Sequence, residues 1–372
     1  MIVLFLSVLL WFMLAACGFG PDKATIVIIS RDQSDTTSLN PSRMRIASDL
    51  ALRNSQTSVS KGMKIRHQFI TYAGDGEAGV KAAEQYLDTD PSVIALVGDI
   101  ASPSTRLVAE VANRRNLVHI SFFATEDSIF KEYPWSFSYR STLEQEQANL
   151  IALLRNHLDA SRVVLFRTDN ATINSRIASL RASLEQSDIS VVADILHGRD
   201  AMDFRPEIAN TAWPDVDAVL VFLSASQTDH FLQQMQLSGI AVPLYISTSS
   251  LSVEAFQETA PIQMEMYTLL PSMYLSIETA ADPDFVSFRN QYQVAMGNNR
   301  FDTGGLWAYD GFRLLHELIQ QVGSSEELRE RLSNYDKKRL VGRVRFNDKG
   351  SLQDNVFELI SLVGGEYEVL DK

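Results

Sequence analysis

The amino-acid sequence predicts an α/β protein built of two doubly wound lobes, and three observations carry that prediction. Strand-like and helix-like segments alternate from Thr25 to the end of the chain, which is the rhythm of βαβ units around mostly parallel sheets. The rhythm runs once to about Tyr139 and starts afresh at Arg162. The length, 372 residues, exceeds the size at which a single hydrophobic core usually keeps growing, so the chain is expected to divide.

The first set opens with the β-rich Thr25–Ser30 and the helical Arg43–Asn54. Lys64–Tyr72 is the next strand and Glu77–Leu87 its helix. Val93–Val97 is a short apolar run of the kind that forms a buried parallel strand. Helix Pro103–Arg114 follows, then strand Leu117–Ser121, then Phe137–Tyr139. Thr142 and Gln145 have capping-box spacing and start the next helix.

In the second set, strands Arg162–Phe166, Ile189–Leu196 and Asp217–Phe222 alternate with helices Asn174–Gln186, Asp203–Thr211 and Gln227–Leu237. Leu244–Ser247 and Tyr267–Leu270 read as strands near a lobe crossing. Pro283–Met296 and Leu306–Val322 read as long amphipathic helices, the second with Phe312, Leu315, Leu318, Ile319 and Val322 on one face and Gly323 as its stop. Ser324 and Glu327 cap one more helix. Val344–Phe346 and Val356–Val363 close the chain as strands around the turn Asn347–Gly350.

Composition narrows the function. With 45% apolar and 21% charged residues the chain is globular, not disordered. A formal charge of −13 repels nucleic-acid phosphate, so DNA and RNA are excluded as partners. The apolar run Ile2–Met13, broken by Ser7 alone and followed by Ala15 and Ala16, reads as an export signal over residues 1–16. It is too short to make a good membrane span. Cys17 is the single cysteine, so no internal disulfide is available.

Open α/β sheets bind ligands outside the carboxyl ends of their strands, so the cleft between two such sheets is where a site belongs. Val97-Gly98-Asp99 ends a buried strand, and Ala101-Ser102-Pro103-Ser104-Thr105 opens a helix. Ser102 is placed to be the N-cap and Pro103 the first helical residue. The free backbone N–H groups of Ser104 and Thr105, with the helix dipole behind them, then offer a place for a carboxylate. Ser102 either caps its own helix or contacts the ligand. The next strand ends in Ser121-Phe122-Phe123-Ala124-Thr125, a second set of hydroxyl and main-chain groups beside the first.

Enzyme motifs are weak. Gly74-x-Gly76-x-x-Gly79, with Asp99 downstream, has dinucleotide-binding spacing, but Asp75 stands inside the would-be phosphate loop and Asp99 belongs to another turn. No nucleophile elbow, P-loop or C-x-x-C occurs, and His316-Glu317 lacks the second histidine of a zinc helix. The six histidines make no metal cluster. The reading is therefore no enzyme, no cofactor and no metal.

Two resemblances sharpen it. Leu14-Ala15-Ala16-Cys17-Gly18 resembles the lipobox of bacterial lipoproteins, which implies cleavage before Cys17, lipidation of its thiol and new amino group, and anchorage to a membrane of the cell envelope facing the periplasm or exterior. The stretch from Val93 to Asp127 resembles the first-lobe signature of type I periplasmic binding proteins, the leucine-isoleucine-valine-binding group. Tyr139-Arg140, Met202-Asp203-Phe204, Ala308-Tyr309-Asp310-Gly311 and Val344 to Gly350 resemble further family landmarks in the right order.

That second resemblance implies a fold of two Rossmann-like lobes joined by three hinge crossings, lobe I 24–141 and 268–352 and lobe II 142–267 and 353–372, after the signal 1–16 and a tether 17–23. It implies too that Ser102 and Thr125 are side-chain ligands for an amino acid or related small polar compound, with Phe123 and Ala124 giving backbone groups. By the same resemblance an ABC permease is the membrane partner. The chain departs from the family at Ser247-Thr248-Ser249-Ser250, where branched-chain binders place an acid against the ligand's ammonium. Asp32 either replaces that acid or is a solvated loop residue. Tyr139, near the first crossing, either lines the cleft or is core. The departure leaves open a second function on the same fold, a ligand sensor or an adaptor for cell-wall machinery.

Overall fold

The computed structural model describes residues 23–31, 41–56, 63–74, 76–247, 250, 264–271, 282–297, 303–353, 357–363 and 366–370. The first strand, β1 (Lys23–Arg31), shows how the molecule is layered. Its alternate residues Ile26 and Ile28 belong to one buried cluster, and Val27 and Ile29 to another. A strand apolar on both faces has to sit between two helix layers. On one face lie Met44, Ala47 and Leu50 of α1 (Pro41–Gln56). On the other lie Ala83 of α2 (Gly76–Leu87) and Val108, Val111 and Ala112 of α3 (Ser102–Arg115).

The sheet has five parallel strands in the order β2-β1-β3-β4-β5, with β2 Lys64–Tyr72, β3 Val93–Val97, β4 Val118–Ser121 and β5 Ser136–Ser138. A short helix, α4 (Asp127–Glu132), lies between the last two.

The chain then enters α5 (Leu143–Ala152), whose capping box joins Thr142 and Gln145 as the spacing predicts. Strands β6 (Arg162–Thr168), β7 (Ser190–His197), β8 (Ala218–Phe222), β9 (Leu244–Ile246) and β10 (Met266–Pro271) form the parallel part of a second sheet of seven strands. Helices α6 (Ala171–Gln186), α7 (Arg205–Asn210) and α8 (Ala225–Ser238) connect them. Here too Val163 and Leu165 face one cluster while Val164 and Phe166 face the other, so this sheet is also covered on both sides. The boundary expected at 267/268 falls inside β10, which pairs with β9 and runs in the second sheet to Pro271.

The chain returns to the first sheet through α9 (Pro283–Met296) and α10 (Thr303–Ile319), which pack on α1. Helix α11 (Ser325–Ser333) and the hairpin β11 (Asp336–Arg339) and β12 (Gly342–Arg345) follow. Finally β13 (Phe357–Val363) and β14 (Glu366–Leu370) add two antiparallel strands to the second sheet. The fold is that of two doubly wound lobes sharing three chain passages.

Candidate functional site

Strands β3 and β4 are neighbours, with Ala95 opposite Val118 and Val97 opposite Ile120. The loops that come after them therefore leave the sheet side by side at its carboxyl edge. Gly98 makes the first turn at φ +130°, where a Cβ would stand 2.2 Å from the Ile29 carbonyl oxygen. No larger residue fits there. Asp99 comes next, 1% exposed, accepting the Tyr72 hydroxyl and the Ile100 N–H. Burial pushes its carboxyl above the usual carboxylate range.

The helix start differs from the expectation by one residue. The N-cap of α3 is Ala101 and Ser102 is the first helical residue, without a side-chain cap. The Ala101 carbonyl accepts both the Thr105 N–H and the Thr105 hydroxyl at 2.9 Å, which closes the first turn there. The expectation for Thr105 is thereby corrected. Its N–H is not free, and the residue is fully buried with its hydroxyl also on the Asp99 carbonyl at 3.0 Å. Ser104 is half-buried and hydrogen-bonds Tyr72. Ser102 is half-buried, and its hydroxyl makes no hydrogen bond among the described residues.

On the second loop the Ser121 hydroxyl oxygen accepts the N–H groups of Phe123 (3.4 Å) and Ala124 (3.1 Å). These two N–H groups are thus spent, which leaves the carbonyl oxygens as the main-chain groups on offer. Thr125 is half-buried, its carbonyl accepts the Leu143 N–H at 2.9 Å, and its hydroxyl has no partner among the described residues. Arg106 ties the two loops together through Glu126 and Ser128, both at 2.7 Å. Ser102 and Arg106 stand four apart on one helix face, and Arg106 reaches the segment that follows Thr125.

Tyr139 is corrected to core. It is fully buried, donates its hydroxyl to Asp310 at 2.9 Å, and stands edge-on to Phe122 and Trp307. Cys17 and Asp32 lie outside the described residues. In the G-x-G-x-x-G spacing Gly74 supplies a turn at φ +87°, and Gly79 serves packing, since a Cβ there would meet the Tyr72 ring at 2.3 Å.

The second sheet contributes groups that the sequence does not single out. At its strand tips Thr168 donates to Gln227 Oε1 at 2.5 Å, and the Gln227 amide donates to the carbonyls of Gly198 (2.8 Å) and Ala201 (2.9 Å). A small hollow is lined by Leu143, Glu146, Gln147, Arg176, Phe222 and Tyr245, among others. A signal for it exists in the sequence. Leu143, Glu146, Gln147 and Leu150 recur at helical spacing, so a carboxylate and an amide sit on the apolar stripe of α5. Among the described residues no three or more His, Cys, Asp or Glu side chains are placed to hold a metal ion, and no helix is long and apolar enough to cross a membrane.

A model of the periplasmic binding protein family matches residues 25–357. No curated protein matches the chain. Among solved structures, the branched-chain amino acid transporter substrate-binding protein of Streptococcus pneumoniae, in complex with isoleucine, is similar over 94% of this chain and 100% of its own, with TM-score 0.70 and 18% identity. A solute-binding protein of an ABC transporter from R. palustris, in complex with benzoate, is similar over 94% and 95% of the two chains, with TM-score 0.72 and 16% identity. A leucine-binding protein of Thermotoga maritima is similar over 94% and 98%, with TM-score 0.69 and 12% identity. At these identities the likeness speaks for the fold.

Proposed function

The chain belongs to the periplasmic binding protein family, and from that premise we propose that it is an exported, lipid-anchored solute-binding protein that captures a small polar organic ligand between its lobes and presents it to an ABC permease. One observation carries the reading. Around the tips of β3 and β4 the hydroxyls of Thr105 and Ser121 and the Phe123 and Ala124 N–H groups are spent inside the protein, whereas Ser102 and Thr125 keep theirs. Two unspent, half-buried hydroxyls on the segments that follow two neighbouring strands are donors held ready for something small. Lobe closure removes water and strengthens those bonds.

The experiment is a thermal-shift screen of the mature chain with amino acids, amides and aromatic acids, followed by calorimetry. A ligand at 100 times its Kd stabilises by about 2.7 kcal/mol. Hydrogen bonds to a charged ligand are each worth about 1.5–3 kcal/mol, so Ser102→Ala with Thr125→Ala is expected to weaken a hit by about 100-fold or more. A hit indifferent to both changes defeats the assignment.

The anchor has its own test. In a bacterial host, Cys17→Ser is expected to stop cleavage of the precursor and to move the protein out of the detergent phase on Triton X-114 partitioning. Unchanged processing and partitioning would remove the lipid from the proposal.

A further inference from the structure

We propose that Arg176, backed by Glu146 and Arg140, forms an anion subsite in the second lobe that receives a carboxylate of the ligand; this rests on the capture reading above. The Glu146 carboxylate, 5% exposed, stands between two guanidinium groups, each on a side chain 16% exposed. Arg140 Nη2 donates to Oε1 at 3.1 Å and Arg176 Nη2 to Oε2 at 2.5 Å. Formal charges of two cations against one anion leave this enclosed cluster at +1. An uncompensated charge away from water is costly, and a single anion completes the set.

The donors agree with the charge. Arg140 Nε, Arg176 Nε and Gln147 Nε2 are buried without a hydrogen-bond partner. Gln147 is 6% exposed, and its Oε1 accepts from Ser179 (3.3 Å) and Ser183 (3.1 Å), which fixes the amide so that it presents its NH2 group away from those serines. Arg176 makes no hydrogen bond among the described residues other than the one to Glu146. Gln147 and Arg176 line the hollow, whose other walls are Leu143, Glu146, Leu150, Leu180, Phe222 and Tyr245, with Arg140 behind Glu146. The hollow adjoins the first lobe's loop: the N–H of Leu143, one of its lining residues, donates to the Thr125 carbonyl at 2.9 Å. Glu146 is then a positioning residue: it holds the Arg176 plane, and a planar, fixed guanidinium recognises a carboxylate in two-point fashion.

The test is calorimetry on the mature chain with acid and amide pairs of one shape: benzoate and benzamide, 4-methylpentanoate and 4-methylpentanamide, leucine and leucinamide. The parent is expected to prefer the acid of a binding pair by about 10-fold or more. Arg176→Gln is expected to bring that preference down to about threefold or less, with Arg176→Lys retaining part of it. Thermal unfolding of the unliganded variants is the control for their being folded. In contrast, Ser102→Ala with Thr125→Ala should weaken acid and amide alike. Equal affinity of acid and amide in the parent, a preference that survives Arg176→Gln, or no binding by any acid overturns the subsite. The second of these, combined with sensitivity to Ser102 and Thr125, overturns it while leaving the capture reading standing.

Discussion

Asp310→Ala is expected to destabilise the unliganded protein by about 3 kcal/mol or more, read as a fall in the urea midpoint. Asp310 is 2% exposed and its partner Arg339 9%, with Oδ1 and Nη2 3.1 Å apart. The same carboxylate accepts the Tyr139 hydroxyl at 2.9 Å and the Val341 N–H at 3.3 Å. Arg339 also donates to the Asp310 carbonyl at 3.2 Å and to Glu317 at 2.9 Å. One carboxylate thus joins α10, the turn of the β11–β12 hairpin and Tyr139, the residue directly after the last strand of the first sheet. Burial works against the Arg339 charge, yet Asp310 beside it holds the guanidinium well above its ordinary value.

Removing one partner of a buried pair leaves the other uncompensated, at about 3–5 kcal/mol. The half-exposed Glu317 places this case at the lower end. Asp310→Asn, which can still accept from Tyr139, should fall between parent and Ala. Adding Arg339→Met to Asp310→Ala should return part of the loss, since the stranded charge goes with it. A loss below about 1 kcal/mol for Asp310→Ala would show that the ion pair is not what fixes this corner.

Much of this architecture is legible from local signals. Lys64–Tyr72, Val93–Val97 and Pro283–Met296 have the bounds that their periodicity and turn residues predict. The misses are elements whose cause is not local. β11 reads Asp-Lys-Lys-Arg and has no apolar face; it is a strand because Lys337 and Lys338 pair with Val344 and Arg343. α4 is only six residues long and is held by the buried Ile129 and Phe130. The N-cap of α3 lies one residue earlier than its spacing suggests because Thr105 bonds to the Ala101 carbonyl, a choice no spacing rule encodes.

The site divides in the same way. The two loops are legible because a buried strand followed by Gly, Asp, Ser and Pro has few other uses. Which of their donors remain free is not, since it depends on where the Ser121 and Thr105 hydroxyls turn. Tyr139 is ambiguous in sequence for a further reason: its partner Asp310 lies 171 residues away.

Acid is expected to cost far more stability than any surface change, and three histidines are the reason. His67 and His316 share a hydrogen bond between their Nε2 atoms at 2.8 Å, an arrangement with room for one proton. The second nitrogen of His316 meets the Ser55 hydroxyl at 2.9 Å. Burial and the His316 ring lower His67 to about 3. Burial lowers His316 to about 4, with Arg313 adding to it and the Ala51 carbonyl opposing. His119 is wholly buried between the Gly98 carbonyl and the Ser136 hydroxyl, and burial lowers it to about 4 as well.

An unfolded histidine takes up its proton near pH 6.5. Each of these groups is neutral in the fold at a pH where it would be charged in the open chain. Their contribution is therefore complete above about pH 6.5 and is lost as pH falls toward about 4, where the native state begins to protonate too. The slope is about 1.4 kcal/mol per pH unit for each fully responding histidine, so at most roughly 4 kcal/mol per unit for three.

Asp99, raised by burial, works in the opposite sense and offsets part of this. Asp90, lowered chiefly by its hydrogen bond from Ser92, and Asp194, lowered by Arg167 and Arg181 against its burial, lose their share only below the ordinary carboxylate range. The window between about pH 6.5 and 5 thus belongs to the histidines. Urea midpoints at pH 7, 6 and 5 should fall steeply for the parent, with a share from His197, which burial lowers too, and by about one quarter to one third less for His119→Gln, which retains an amide for Gly98 and cannot take up a proton in the open chain. A parent profile flat from pH 7 to 5 would mean that these rings are charged or hydrated in the fold, and the buried pair between β2 and α10 would have to be abandoned.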